Sequence, residues 1–451
     1  MIFLGLEVYS TSQSKNLNIM KSKFRIVIVL LTVVISGGFV IQFRAANSTI
    51  SPDEGCVFKT VFEGEGIEKE FYLPISEAVE AVCNAGLEWL VTAQNKSGGF
   101  GAGSHSDRNT GNQNQVATDP ATTAMVAMAI LRDGSNLDQG IYTKQLSLAT
   151  DYLLECVENS PAGASNITTL QNTQIQSKLG GNIDVILTCQ YLTNLLDEIN
   201  DETVYSRVED AVSKCVRKIE KSHEGTGAVA SSGWAGVLQS SFAANSLEAA
   251  EAKGIAVDKE VLKKAKDNQK ENYDVESGTI ATGSAAGVML YSVSGSSRAS
   301  AKDARKASAT IDQAVEDGKV ESAAPVTIDN LMKAGMELNE AEESMTSYQV
   351  YNASKTRAQA ADVIAGFGNN GGEEFMSFLQ TGEGLIVNKD MEWQQWYNGT
   401  SQRLIDIQNK NGSWHGHHCI TSPVFCTATS LLILSVNNDI DALVAQGAEQ
   451  K

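Results

Sequence analysis

Gln94-Asn95-Lys96-Ser97-Gly98-Gly99-Phe100 and Gln408-Asn409-Lys410-Asn411-Gly412-Ser413-Trp414 stand near opposite ends of a 451-residue chain. They agree at four of seven positions, and each closes on an aromatic. An amphipathic helical pattern precedes each copy, at Ala78–Ala93 and Trp393–Ile407. A helix apolar nearly all round follows each, at Thr122–Leu131 and Val424–Ser435. A helix with one wet face lies outside, and one apolar on all sides must be covered, so the repeat unit is an outer–inner helix pair. Further inner helices are expected at Ile183–Leu196, Trp234–Ala250, Thr279–Val293 and Glu373–Ile386. Further outer ones are expected at Lys144–Val157, Val204–Lys221, Asp258–Gln269 and Lys302–Glu316. From Ser294 to about Ala360 the chain is rich in Ser, Ala, Lys and Glu, and Gly295-Ser296-Ser297 and Ala323-Ala324-Pro325 read as loops around an insertion. Six to seven stacked pairs fit the spacing, either as an open solenoid or closed on themselves.

Composition agrees with helices. Only six prolines occur, and 42% of residues are hydrophobic. A formal charge of −19 repels phosphate backbones, so nucleic acid is not an expected partner. Residues 26–43 carry no ionisable group and follow Lys15, Lys21, Lys23 and Arg25. Eighteen such residues reach about 27 Å as a helix, enough for a bilayer core, with the basic side left in the cytoplasm. A signal peptide starting at Met20 is the other reading of the same segment. The expected organisation is a basic cytoplasmic segment (1–25), an anchor or signal (26–43), a linker (44–73), the helical domain (74–440) and a tail (441–451). The domain is then extracytoplasmic, periplasmic or extracellular, and meets the membrane through the N-terminal helix. Seven scattered cysteines do not form a disulfide framework. Cys83, Cys156, Cys189 and Cys215 fall in helical patterns as small core residues.

The unit Gly86-Leu87-Glu88-Trp89-x4-Gln94-x3-Gly98-x-Phe100, with Gln408-x3-Gly412-x-Trp414, resembles the QW repeat of squalene-hopene cyclases. Over about Pro74 to Asn437 the chain is similar to the superfamily of terpenoid cyclases and protein prenyltransferase β-subunits. That resemblance implies an all-α fold, an α/α toroid of paired helices. It also implies that the Gln caps one helix end while the aromatic stacks on the next. The cyclase Asp-x-Asp-Asp acid, the Asp-Asp-x-x-Asp magnesium motif and the prenyltransferase Asp-x-Cys plus later His are all absent. Complement thioester domains and cobalamin carriers share the architecture, but the thioester motif is missing too.

In such an arrangement the inner-helix N-termini share one mouth, which favours anions. Trp414-His415-Gly416-His417-His418-Cys419 enters the last inner helix, and His417, His418 and Cys419 are the types that ligate zinc. Hydrogen-bonded neutral histidines on Trp414, or a Cys419–Cys426 disulfide, are the alternatives. Glu373 and Glu374 open the preceding inner helix after Gly371-Gly372. They either serve the helix dipole or stand beside His417 and His418 as an acid/base or metal group. Asp119 before Pro120 is an N-cap signature, and Asp184 follows Gly180-Gly181; either could face the mouth. Trp234, Trp396 and Trp414 are packing residues or ligand platforms. The glycine run 98–103 lacks a preceding strand and a Gly-Lys-Ser/Thr, so it is not a nucleotide loop.

Without the known catalytic motifs, a binding or scaffold module for a protein partner or a hydrophobic small molecule is the leading expectation. The alternative is an enzyme or carrier holding an isoprenoid-like ligand in a central cavity. Its Glu/His/Cys site would sit at the mouth, with zinc as the candidate cofactor.

Overall fold

Side-chain caps start many of the helices. Ser76 accepts from Val79 N, and Asp119 accepts from Thr122 N with Pro120 at the first helical position. Asp201, Asp258, Thr327 and Ser422 repeat the device. Each satisfies an amide that the helix leaves without a partner. The computed structural model describes residues 67–104, 112–223, 225–230, 233–366, 368 and 370–448. The expected anchor or signal at 26–43, the basic segment before it and Cys56 lie outside the described residues.

Among the described residues the chain is all-α, with isolated β-bridges and no strand. In chain order the helices are α1 (Glu77–Thr92), α2 (Pro120–Arg132), α3 (Thr143–Asn159), α4 (Gln174–Leu179), α5 (Ile183–Leu195), α6 (Glu202–Ser222), α7 (Gly236–Ala252) and α8 (Lys259–Lys270). They continue as α9 (Met289–Glu316), α10 (Ile328–Ala334), α11 (Leu338–Ala358), α12 (Ala361–Ile364), α13 (Gly372–Val387), α14 (Glu392–Ile407), α15 (Pro423–Leu434) and α16 (Ile440–Gly447).

Six helices are buried along most of their length or, in α9, along the N-terminal half: α2, α5, α7, α9, α13 and α15. They pack in sequence, α2 on α5, α5 on α7, α7 on α9, α9 on α13 and α13 on α15, and α15 packs on α2. The amphipathic helices α1, α3, α6, α8, α11 and α14 lie against them, each touching one or two of the six. Phe100 and Trp414, fully buried, belong to one continuous core.

Two expectations change. The proposed inner helix at Thr279–Val293 and outer helix at Lys302–Glu316 are parts of a single helix, α9, which begins only at Met289. Gly295-Ser296-Ser297 lies in its buried N-terminal half and is not a loop. Small residues sit there because neighbours come close: a Cβ on Gly295 would lie 2.8 Å from Gln269 Oε1 and 3.0 Å from Ser241 Oγ. Ser296 Oγ bonds to Gln269 O at 2.7 Å and to Ser292 O at 3.0 Å, so its hydroxyl is satisfied without leaving the helix. The C-terminal half of α9 runs on to a small second cluster with α10 and α11 around Ile311 and Leu331. The other change is the tail: residues 440–447 form α16, with Ile440, Leu443 and Val444 buried against the helices. Among the described residues no single helix is long and apolar enough to cross a membrane.

Candidate functional site

The two motif copies adopt the same local geometry. Gln94 Nε2 donates to Gly98 O and to Gln145 O, both at 2.8 Å, tying α1 to α3. Gln408 Nε2 donates to Gly412 O at 2.9 Å and to Val82 O at 2.8 Å, tying α14 to α1. Gly98 and Gly412 take φ of +89° and +90° while pressed on the carbonyls of Leu148 and Ala85, where a Cβ has no room. The backbone N–H groups of Phe100 and Trp414 donate to Thr123 and Thr427 of the next buried helix, both at 2.9 Å. A third copy, His223-x3-Gly227-x-Val229, repeats the glycine and amide contacts at α8, where Gly227 sits on Lys264 O and Val229 N donates to Ser240 Oγ at 3.1 Å, while the His223 ring meets Ile219 O instead of making the glutamine's bridge. It escapes a sequence search because His and Val replace Gln and the aromatic.

The loops entering the buried helices gather a belt of buried polar side chains. Asp184 of α5 accepts from Ala121 N of α2 at 3.2 Å. Gln239 of α7 accepts from Asn182 N before α5 at 2.9 Å. Gln174 of α4 accepts from Thr421 N and Ser422 N before α15, at 2.9 and 3.1 Å. Asp119 receives Thr122 N at 2.7 Å and Ala102 N at 2.9 Å. The structure therefore brings Asp119 and Asp184 together as caps. Burial, with the charge of Asp184 beside it, pushes the Asp119 carboxyl up to about 7. Burial also raises Asp184, against the hydrogen bonds of Gln176 and Asn166.

A cleft of about 320 Å³ opens beside this belt, and it holds Glu373, His418, Cys419 and Trp234 of the expected site residues. Lys178, Tyr291 and Asn370 complete it. Glu373 is 2% exposed. Its Oε2 accepts from Ile420 N at 3.1 Å, and the Cys419 thiol donates to the carboxylate. Burial raises the Glu373 carboxyl above the usual range. Trp234 is 62% exposed, and Lys178 Nζ lies 4.3 Å from its ring centroid, a cation–π contact. Backbone bonds hold the pair in place, Ala235 N to Lys178 O at 2.7 Å and Trp234 N to Ser177 O at 3.4 Å. Gly233 permits that approach, since a Cβ would lie 2.3 Å from Gly180 N.

The other expected residues are held elsewhere. Glu374 does not line the cleft; it accepts from Asn370 Nδ2 at 3.0 Å and Gly368 N at 2.9 Å, serving the loop before α13. His417 is exposed and is held by its backbone N–H on Asn370 O at 2.7 Å. Its ring lies 5.5 Å from that of His418. No ion pair joins Glu373 or Glu374 to either histidine among the described residues. Trp396 packs over Gly382, where a Cβ would lie 2.2 Å from the ring. Trp414 is fully buried, with Nε1 donating to Leu404 O at 2.9 Å. Neither tryptophan lines the cleft. Cys419 and Cys426 are free thiols, so the disulfide alternative is corrected: Cys426 points inward with Sγ on Ile420 O at 3.5 Å. Among the described residues no group of three or more His, Cys, Asp or Glu side chains converges to hold a metal ion.

Lys178, Tyr291 and Asn370 are the lining residues that sequence reasoning missed, and Lys178 is the charged one. It lies on α4, a single-turn helix set between two recognised ones. The signal was there: Thr173 and Gln176 form a complete capping box just ahead of it.

Among the buried helices, α5, α7, α9 and α13 start without a side-chain cap. Of their N-cap residues, Ala235 of α7 and Val288 of α9 line the cleft. Lys178 makes no hydrogen bond or salt bridge among the described residues; its ammonium lies over the Trp234 ring, and its charge acts to lower the Glu373 carboxyl against the effect of burial. The cleft thus offers two positive helix ends and an ammonium beside an exposed flat aromatic. No protein-family model and no curated protein matches the chain.

Proposed function

We propose that the chain is an α/α toroid of six helix pairs that works as a binding module, holding a small amphiphile with an anionic head at the mouth shared by the inner helices. The packing order that runs from α2 round to α15 and back to α2 supports the closed form. The observation that carries the binding role is Lys178, 3% exposed and without a hydrogen bond or salt bridge among the described residues, in a cleft of about 320 Å³ with Trp234. That volume lies within the range of small-molecule sites, which pair apolar walls with a few placed polar groups. The interior between the helices supports the mouth rather than the axis as the place for a ligand, since every residue of α13 is buried against its neighbours.

A second reading is acid catalysis on the same ligand. Glu373, kept protonated to higher pH by burial and flanked by Cys419 and Tyr291, supports it. An extracytoplasmic location and membrane attachment through residues 26–43 belong to the same proposal and rest on the sequence. Titration with 2-naphthoate, followed by calorimetry, tests the binding role. Saturable binding weakened about tenfold in Lys178→Met, with no binding of neutral 2-naphthalenemethanol, is the expected result. Equal binding of the two ligands would contradict it.

A further inference from the structure

We infer that the far end of the buried helices carries a second, separate small-molecule site, which takes a short alkylammonium bearing a hydroxyl group. A cleft of about 170 Å³ lies between the last turns of α2, α5 and α7 and the underside of α16. Helix α7 contributes to both ends, through Ala235 at the mouth and Ala249 and Ala252 here. At 1.5 Å per residue that separates the two sites by roughly 20 Å.

The charge at this end favours a cation. Three helices present their carbonyl ends, the negative poles of their dipoles. Two cations, Arg132 and Lys253, face four carboxylates, Asp197, Glu198, Glu383 and Asp439. Both cations are already engaged: Arg132 pairs with Glu383 at 2.8 Å and with Asp439, and Lys253 pairs with Asp197. Glu198 is different, because its partner is the neutral amide of Asn136 at 3.1 Å. Its charge is the one an incoming ammonium would meet.

Two polar groups, one on the buried Thr193 and one on the half-buried Gln446, indicate the rest of the ligand. Thr193 is fully buried and lines the cleft, yet its hydroxyl faces only the Cys189 thiol, a weak partner, and makes no hydrogen bond of normal geometry. Gln446 Nε2 on α16 has no acceptor among the described residues. Buried groups of this kind are uncommon in native proteins and mark places where a solvent molecule or ligand completes the bonding. A hydroxyl both donates and accepts, so one such group serves Thr193 and Gln446 together. Met128, Leu131 and Leu443 line the space between and suit a short methylene stem.

Thermal shift and calorimetry of the full chain with 4-amino-1-butanol test the inference, against 1,4-butanediol and 4-hydroxybutyrate as probes of the same length without the positive charge. The aminoalcohol is expected to raise the unfolding midpoint saturably, with neither control doing so. Its affinity should fall about tenfold in Glu198→Gln and in Thr193→Val, each removing one charged or polar contact, and be unchanged in Lys178→Met. No saturable shift, an equal shift with the diol, or a loss in Lys178→Met alone would overturn it. The last outcome would place the amine at the mouth instead.

Discussion

Gln408 Nε2 donates to the carbonyl of Val82, 326 residues earlier in the chain, at 2.8 Å. The same side chain holds Gly412 O, just as Gln94 holds Gly98 O while reaching the carbonyl of Gln145. The last outer helix is thus tied to the first by the bond that ties the first to the second.

Gln94→Ala and Gln408→Ala should therefore destabilise the protein to a similar extent. Each removes two donors and leaves two half-buried carbonyls without them, a loss of about 1–3 kcal/mol. Urea unfolding midpoints measure it. A loss in Gln94→Ala with none in Gln408→Ala would mean that the terminal helices are not joined in solution.

Gly86 and Trp414 should be coupled. A Cβ at Gly86 would lie 2.9 Å from Trp414 Cζ3 and 3.0 Å from Leu431 Cδ2. Gly86→Val is expected to cost about 1–3 kcal/mol by overpacking, and Trp414→Phe to cost a comparable amount by leaving a void. The double variant should lose less than the sum, since the smaller ring makes room for valine. Strict additivity in a double-mutant cycle would contradict the contact.

Asp119 and Asp184 give a signed pH dependence. Both carboxyls titrate higher in the folded state than when exposed, Asp119 at about 7. The folded protein therefore holds more protons than the unfolded chain between about pH 4 and 7. Stability from this pair is fully present below about pH 4 and declines as pH rises through 7. Asp184→Asn removes the neighbouring charge, so Asp119 should titrate lower and the decline should move to lower pH. Unfolding midpoints from pH 4.5 to 8 check this; a profile unchanged by the substitution would refute the coupling.

At the mouth, binding and stability should separate. Trp234→Ala removes a ring that is 62% exposed. The melting temperature is expected to stay within about 1 °C, because surface changes of this kind stay within roughly 0.5 kcal/mol. Affinity for 2-naphthoate should nevertheless fall several-fold with loss of the stacking face and of its contact to Lys178. A variant that loses stability but keeps affinity would show the ring to be structural.

The sequence makes the paired-helix pattern legible where periodicity is strong. Inner helices such as Ile183–Leu195 and Gly372–Val387 are apolar enough to stand out, and Asp119-Pro120 marks the start of α2. It fails in α9, where serine and glycine signal a loop locally but serve close helix contacts in the fold. Half of the mouth is visible in the same way. Glu373, His418, Cys419 and Trp234 attract notice as chemistry-bearing residues at helix entries. Lys178 does not, because a lysine on a surface-like turn becomes buried only once α7 folds over it. Glu374 and His417 do not line the cleft; the Glu374 side chain and the His417 backbone are held instead by bonds to the 368–370 loop that no periodicity encodes.

Closure of the helix pairs is the claim on which the shared mouth depends, and a circular permutant tests it most directly. Tyr72 Oη donates to Asp441 Oδ1 at 2.5 Å, so the two ends of the described chain lie side by side and a short Gly/Ser linker can join residues 448 and 67. New termini at Ser322 and Ala323, in the exposed turn after α9, interrupt no helix. Closed packing predicts a single cooperative thermal transition within about 5 °C of the parent, since the joined ends keep every contact and only one exposed turn is cut. Loss of cooperative unfolding, or a midpoint lowered far beyond that, would show that the first and last helices do not meet.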